Sequence, residues 1–266
     1  MVDVEQILVE TTSGRLAVQV VGDAQAPPLL LLAGQANSHH WWDGIRDRLA
    51  EHRRTITFDY RGTGRTAELN PEDDGGWSTT SFAVDAVTVL EGLGCSSADV
   101  YGTSMGGRVA QELAINHPDR VRRLVLACTT PGGPHAVERS DAVRRALMTA
   151  DRGKRLEAMI NFFYTQDWPR DRRSNLFGDP TMTKRAAHRH LRVSAEHDAY
   201  DRLHRIAAET LILHGEDDPM APVANAHLLA DRIPHARLQL TPGGRHGFFD
   251  EFADDVNRAV LDFLGW

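Results

Sequence analysis

The chain has 266 residues, 41% of them hydrophobic and 25% charged, with a formal net charge of −7. That apolar content can bury a sizeable core in one large domain, and the acidic balance argues against nucleic-acid binding, which draws on a basic face. The longest aliphatic stretch, Leu29 to Ala33, is far below the roughly 20 residues of a membrane helix, so no membrane association is expected.

In chain order, the opening MVDVEQILVE brings acids where a secretory signal needs a basic and then a long apolar stretch. Cys95 and Cys128, the two cysteines, both lie in core-like sequence, so a cytoplasmic location with packed, unpaired thiols is expected. Arg15 to Val21 alternates as a half-exposed strand does, Leu29 to Ala33 is apolar enough for a buried strand, Trp42 to Ala50 suits a short helix and Thr55 to Phe58 another strand. A helix carrying Phe82, Val89, Leu90 and Leu93 then precedes a strand at Asp99 to Tyr101, and a helix from Gly106 to Asn116 precedes the strand Arg123 to Cys128. After a long interval come the strand Thr210 to Gly215, a helix over Val223 to Arg232, the strand Ala236 to Leu240 and a final helix, Asp254 to Leu264. Alternating strands and helices predict an α/β protein with a mostly parallel twisted sheet flanked by helices. The strands Arg15 to Val21 and Leu29 to Ala33 lack a helix between them and are expected to form an antiparallel hairpin at one edge.

The interval, residues 132–205, breaks the rhythm. Its patterning is helical, with helices expected over Ala136 to Ala150, Lys154 to Tyr164 and Thr183 to Ala199. It is read as a helical cap insertion into a core domain of residues 1–131 and 206–266. It holds 15 Lys and Arg against 10 Asp and Glu, which leaves +5 there and −12 in the remainder of the chain. Charged helix faces are usually solvated, and solvation is the ordinary reading of that excess.

One short stretch carries chemistry. VYGTSMGG, residues 100–107, follows a strand, opens a helix and places Ser104 between glycines two positions away on either side. A sharp strand-to-helix turn exposes its apex side chain and needs small neighbours. A serine hydroxyl becomes a useful nucleophile only when a base takes its proton and a carboxylate orients that base. Glu216, Asp217 and Asp218 follow one later strand, and His246, among glycines, follows the last.

These features together resemble the α/β-hydrolase family over nearly the whole chain: LLLAG with Gln35, FDYRGTGRT, GTSMGG, LILHGEDDP and GGRHGFFDEF. The resemblance implies Ser104 as nucleophile, His246 as base and Asp218 as acid, because the family places its aspartate three residues after the strand's closing glycine. Asp217 is the rival. It also implies an oxyanion hole from the backbone N–H groups of Met105 and Gln35, with Ala33-Gly34 standing where the family often has His-Gly. A histidine base works only when neutral, so activity should fall in acid.

ANSHHWW is expected at the pocket entrance, with His39, His40 and Trp41 as candidate substrate contacts or as packing residues. Phe163 and Trp168 are candidates within the insertion. His190, His197 and His204 recur every seven residues, a spacing longer than helical zinc sites use, so an exposed polar face is expected there and no metal site. His214 is expected as a hydrogen-bonded core residue.

The implied activity is hydrolysis of a carboxylic ester or lactone of a small to medium, partly apolar substrate, through an acyl-enzyme and without a cofactor. Carbon–carbon bond hydrolysis, thioester hydrolysis or a lyase step would use the same residues, and a non-catalytic binding protein of this fold is the reading furthest from them. Substrate identity and oligomeric state have no code in the sequence.

Overall fold

The computed structural model describes residues 4–12, 14–71 and 75–265. Eight strands form one sheet: β1 (Val4–Thr11), β2 (Gly14–Val21), β3 (Pro28–Leu32), β4 (Arg54–Phe58), β5 (Ala98–Thr103), β6 (Val121–Ala127), β7 (Glu209–Gly215) and β8 (Ala236–Thr241). Their spatial order is β1-β2-β4-β3-β5-β6-β7-β8. β2 runs antiparallel to both its neighbours, and every pairing from β4 to β8 is parallel.

The hairpin expected between the second and third of these strands does not form. β2 pairs with β1 and β4, while β3 lies between β4 and β5. The reason is burial. Leu29 to Leu32 are at most 1% exposed, so β3 needs a strand on each edge and cover on both faces, which only the sheet's interior supplies. β1 buries Val9 alone and leaves Glu5, Gln6 and Glu10 in or near solvent, a pattern that suits an edge strand.

The helices are α1 (Arg46–Ala50), α2 (Gly64–Leu69), α3 (Thr79–Gly92), α4 (Met105–Asn116), α5 (Asp141–Met148), α6 (Arg152–Phe163), α7 (Lys184–Ala195), α8 (Ala224–Arg232), α9 (Phe248–Glu251) and α10 (Ala253–Leu264). Among the described residues no helix is long and apolar enough to cross a membrane. α3 begins with a reciprocal cap: the Ser78 hydroxyl accepts from Ser81 N–H and the Ser81 hydroxyl from Ser78 N–H. α3 and α4 pack against one another, α4 beneath β5 and α3 beneath β1, and α1 meets α10. Cys95 and Cys128 are free and buried.

The segment between β6 and β7 holds α5, α6 and α7. α5 is shorter than the periodicity suggests because the Ser140 hydroxyl caps it and starts it at Asp141, and α7, capped by Thr183 where expected, ends early at Ala195, whereas α6, capped by Asp151, begins two residues before the expected start. Gly133 N–H donates to the His197 carbonyl and Ala199 N–H to that of Pro131, both at 2.9 Å. The two ends of the segment are therefore joined at residues 131–133 and 197–199. Beyond that stem, Tyr200–Arg205 forms a 3-10 turn that touches α4 and α8.

Hydrogen bonds fix this segment over loops at the carboxyl ends of the parallel strands. Asp179 N–H donates to the Ala36 carbonyl at 2.8 Å, Gly64 N–H to the Asp179 carboxylate at 2.6 Å, and Gly247 N–H to the Phe163 carbonyl at 2.8 Å. Phe163, Tyr164, Trp168, Leu176 and Val193 join the same apolar core as the sheet.

Candidate active site

Ser104 sits between the last residue of β5 and the first of α4, with φ 53° and ψ −120°. A non-glycine residue there is strained, and the surroundings hold it. Ser104 N–H donates to the Ala127 carbonyl at 2.9 Å, and its own carbonyl accepts from Gly107 N–H at 3.1 Å and from the Thr129 hydroxyl at 2.7 Å. The flanking glycines are required by close approach: a β-carbon on Gly102 would collide with the Gly106 carbonyl, and one on Gly106 with the Leu32 carbonyl. Backbone meets backbone at both points.

His246 lies in the loop between β8 and α9, where its N–H donates to the Phe162 carbonyl at 3.2 Å. Its Nε2 is 3.1 Å from the Ser104 Oγ and its Nδ1 is 2.7 Å from the Asp218 Oδ2. The far oxygen, Oδ1, accepts from the backbone N–H groups of Met220 and Ala221 at 2.8 and 2.9 Å. Burial pushes the Asp218 carboxyl up, but the adjacent His246 and His214 and these hydrogen bonds outweigh it and hold the pKa below the ordinary aspartate value. The carboxylate thus stays ionised and keeps the proton of His246 on Nδ1, which leaves Nε2 able to accept from the serine. Asp217 is exposed and points no oxygen into this chain; its N–H donates to the Gly244 carbonyl at 2.9 Å. His214 is buried beside Asp218, its Nε2–H donating to the Ala221 carbonyl at 2.7 Å.

Met105 is the first residue of α4, where a backbone N–H has no intrahelical acceptor and forms part of the helix's positive end. Gln35 lies in the loop after β3, followed by Ala36 at φ 57°. That loop is held by a residue the sequence reading assigned to an exposed face. His190 of α7 is fully buried; its Nδ1 accepts from Ala36 N–H at 3.2 Å and its Nε2–H donates to the Arg61 carbonyl at 2.8 Å. His197 is buried as well, with Nδ1 3.0 Å from the Thr79 hydroxyl. The exposed-face expectation holds for His204, which is exposed, and fails for His190 and His197, because α7 turns His190 toward Trp77 and Phe82, each at 5.5 Å, and ends at Ala195 before His197.

Burial pushes the His190 pKa down to about 4, and His197 and His214 move in the same direction for the same reason. In the unfolded chain a histidine takes its proton near 6.5. The unfolded state therefore binds more protons between about 6.5 and about 4, and stability is complete above that window and falls within it. For His190 the loss amounts to about 3 kcal/mol at pH 4. Urea unfolding followed from pH 7 to pH 4.5 should show this decline, with a His190→Phe variant shallower by about one proton. Parallel slopes would place the titration elsewhere.

The entrance residues have mixed surroundings. His39 bonds through Nδ1 to Asp59 at 2.8 Å, and Asp59 also accepts from His39 N–H and Arg65 N–H. His40 is exposed and paired with Asp43 at 2.6 Å. Trp41 is buried against Gly34, its indole N–H donating to the Thr103 hydroxyl at 2.7 Å. Phe163 stands edge-on to the His246 ring at 5.0 Å, whereas Trp168 is stacked on Tyr164 at 3.7 Å. Thr129, His190 and the Met220–Ala221 amides are the supporting groups that the motifs did not single out. Of these Thr129, directly after the β6 strand signal, and Met220, directly after LILHGEDDP, left a positional trace.

A profile of the alpha/beta hydrolase fold family matches residues 27–253. A provisionally named carbamate hydrolase, RutD, of Caulobacter sp. (strain K31) is 29% identical over 248 residues, covering 89% of this chain and 90% of the relative. Among solved structures, a hydrolase from Pseudomonas aeruginosa PA01 superposes with TM-score 0.83 at 24% identity, over 98% of this chain and 99% of its own. Est816, described as an N-acyl homoserine lactone degrading enzyme, superposes with TM-score 0.80 at 25% identity, over 97% and 100%.

Proposed function

Because the chain belongs to the α/β-hydrolase family, we propose that it is a serine hydrolase that cleaves a carboxylic ester or lactone of a small to medium, partly apolar substrate through an acyl-enzyme. The observation that carries this reading is the continuous chain of hydrogen-bond distances from the Ser104 Oγ through His246 to the buried Asp218.

In this reading Ser104 Oγ attacks the carbonyl carbon as His246 Nε2 takes its proton, and Asp218 stabilises the imidazolium through Nδ1. The negative charge that develops on the carbonyl oxygen is met by the backbone N–H groups of Met105 and Gln35, which need no reorganisation. Collapse expels the alcohol with the proton held by His246, and water, deprotonated by the same nitrogen, releases the acid. The steps draw on side chains and backbone alone. Residues 132–205 act as a cap that excludes water and shapes the acyl pocket, with Phe163 packed on the catalytic imidazole.

The test is a fluorophosphonate probe followed by a panel of esters, lactones, thioesters and carbamates. The probe is expected to label Ser104 and to leave a Ser104→Ala variant unlabelled. An unlabelled parent protein would remove the serine-nucleophile reading. Carbamates belong in the panel because the RutD relative spans nine-tenths of both chains; their attack by Ser104 would need the same base and the same oxyanion donors.

A further inference from the structure

A cleft of about 680 Å³ opens between α6 and residues 170–180, within the size range of small-molecule sites. Leu156 and Ile160 of α6 and the ring of Phe177 give it an apolar wall, and Arg152, Arg170, Arg172 and Arg173 line it. Arg172 is partly compensated, 3.8 Å from Asp250 and 4.3 Å from the centre of the Trp168 ring. Arg170 donates to Asn161 Oδ1 at 3.0 Å and to Gln166 Oε1 at 2.9 Å, neutral acceptors that orient the guanidinium and leave its charge intact. Among the described residues no carboxylate lies within ion-pair distance of Arg152, Arg170 or Arg173. Two acids also line the cleft, Asp171 and Asp179, and Asp179 is already engaged by the Gly64 and Thr181 N–H groups. Four cations against two anions is a local excess of the sign opposite to the chain's −7.

Two aromatic rings in series connect the cleft wall to the reacting groups. Phe177 meets Phe163 edge-on at 5.4 Å, and Phe163 meets His246 at 5.0 Å. On the other wall, Asn37 and Ser38 continue the loop that carries Gln35.

From this we infer that the cleft is an anion subsite, and that the substrate is an ester or lactone bearing a carboxylate at the far end of an apolar segment. The apolar wall takes the segment, and the planar guanidinium forks take the carboxylate, the geometry for which arginine is best suited. The inference rests on the serine-hydrolase reading of Ser104 for its chemistry. Single exposed ion pairs contribute up to roughly fivefold in affinity, so three uncompensated arginines acting together should be worth about tenfold or more. Because the cleft is open to water, that preference should weaken with salt.

Phenyl hexanoate and the monophenyl ester of adipic acid differ only in a terminal methyl against a carboxylate. The parent enzyme is expected to favour the adipate ester in kcat/KM by about tenfold at low ionic strength, and to lose most of that preference in 0.5 M NaCl, roughly three times the physiological level. An Arg152→Gln, Arg170→Gln, Arg173→Gln variant should lose far more kcat/KM on the adipate ester than on phenyl hexanoate. Equal losses on both esters, or no preference in the parent, would overturn the inference.

A second measurement does not depend on turnover or on the triple variant folding well. Ser104→Ala protein should bind monomethyl adipate by calorimetry, more weakly as NaCl rises. If it binds but the parent cleaves neither ester, the hydrolase reading falls and the anion subsite stands. If the parent cleaves both esters equally and Ser104→Ala does not bind the anion, the subsite falls and the hydrolase reading stands.

Discussion

Asp218→Asn is expected to lower kcat by about four orders of magnitude, as loss of the orienting carboxylate does in other triads, while Asp217→Asn keeps activity within a few-fold of the parent. The difference follows from where the two side chains are. Asp218 Oδ1 is fixed by two backbone N–H donors, Met220 and Ala221. An asparagine keeps its oxygen on those donors and so turns its NH₂ toward His246 Nδ1. The imidazole can then avoid a donor–donor clash only by moving its proton to Nε2. In that tautomer the nitrogen 3.1 Å from the Ser104 Oγ is a donor, and it cannot accept the serine proton. Asp217 is exposed, so the same change there alters only solvated charge. Steady-state kinetics on any ester the parent hydrolyses decides the matter, with unfolding midpoints checked alongside. The opposite ranking would transfer the acid role to Asp217.

The sequence made this rivalry visible without resolving it from the residues themselves. Glycines two positions either side of Ser104, and acid and histidine after successive later strands, are local patterns that a linear reading detects, and the structure brings His246 within hydrogen-bond distance of both Ser104 and Asp218. The succession of strands and helices along the chain was legible for a similar reason, since each strand and helix signal lies within one short window. What stayed hidden depends on contacts distant in sequence. β1 alternates weakly because only Val9 is buried, and nothing local says whether β2 pairs with it or with β3. His190 lies in a run of arginines and histidines, KRAAHRHLRV, that reads as solvated. Its burial comes from Ala36 and Arg61, 154 and 129 residues away in the chain. The arginines of the cleft are similarly ordinary until the fold sets them around one cavity with few carboxylates to meet them.

Gly106→Ala is the second change expected to be severe, and it connects the packing of the elbow to its chemistry. A methyl at Gly106 would collide with the Leu32 carbonyl, with the Ala33 carbonyl only 2.6 Å away. Neither oxygen belongs to a flexible side chain. Leu32 is paired with Gly102 in the centre of the sheet, so β3 cannot give way without breaking its ladder, and relief has to come from α4 moving outward. Overpacking of this kind typically costs about 1–3 kcal/mol and more where backbone is involved, which for a chain of this size means a Tm lower by roughly 2–6 °C or more. The outward movement also carries Ser104 and Met105 with it, since both open the same helix. A displacement of about 1 Å at a reacting group can cost on the order of a hundredfold in rate. The variant should therefore show a depressed kcat even when assayed well below its own Tm. Gly153→Ala is the matched control: Gly153 lies in α6, a built β-carbon there meets nothing nearer than the Asp151 carboxylate at 3.4 Å, and glycine is the poorer helix former. Thermal unfolding of the two variants with kcat measured at 20 °C separates the possibilities. If Gly106→Ala kept both the parent's Tm and its kcat, α4 would be free to shift without consequence, and the close approach of helix to strand would not be what fixes Ser104 at the carboxyl edge.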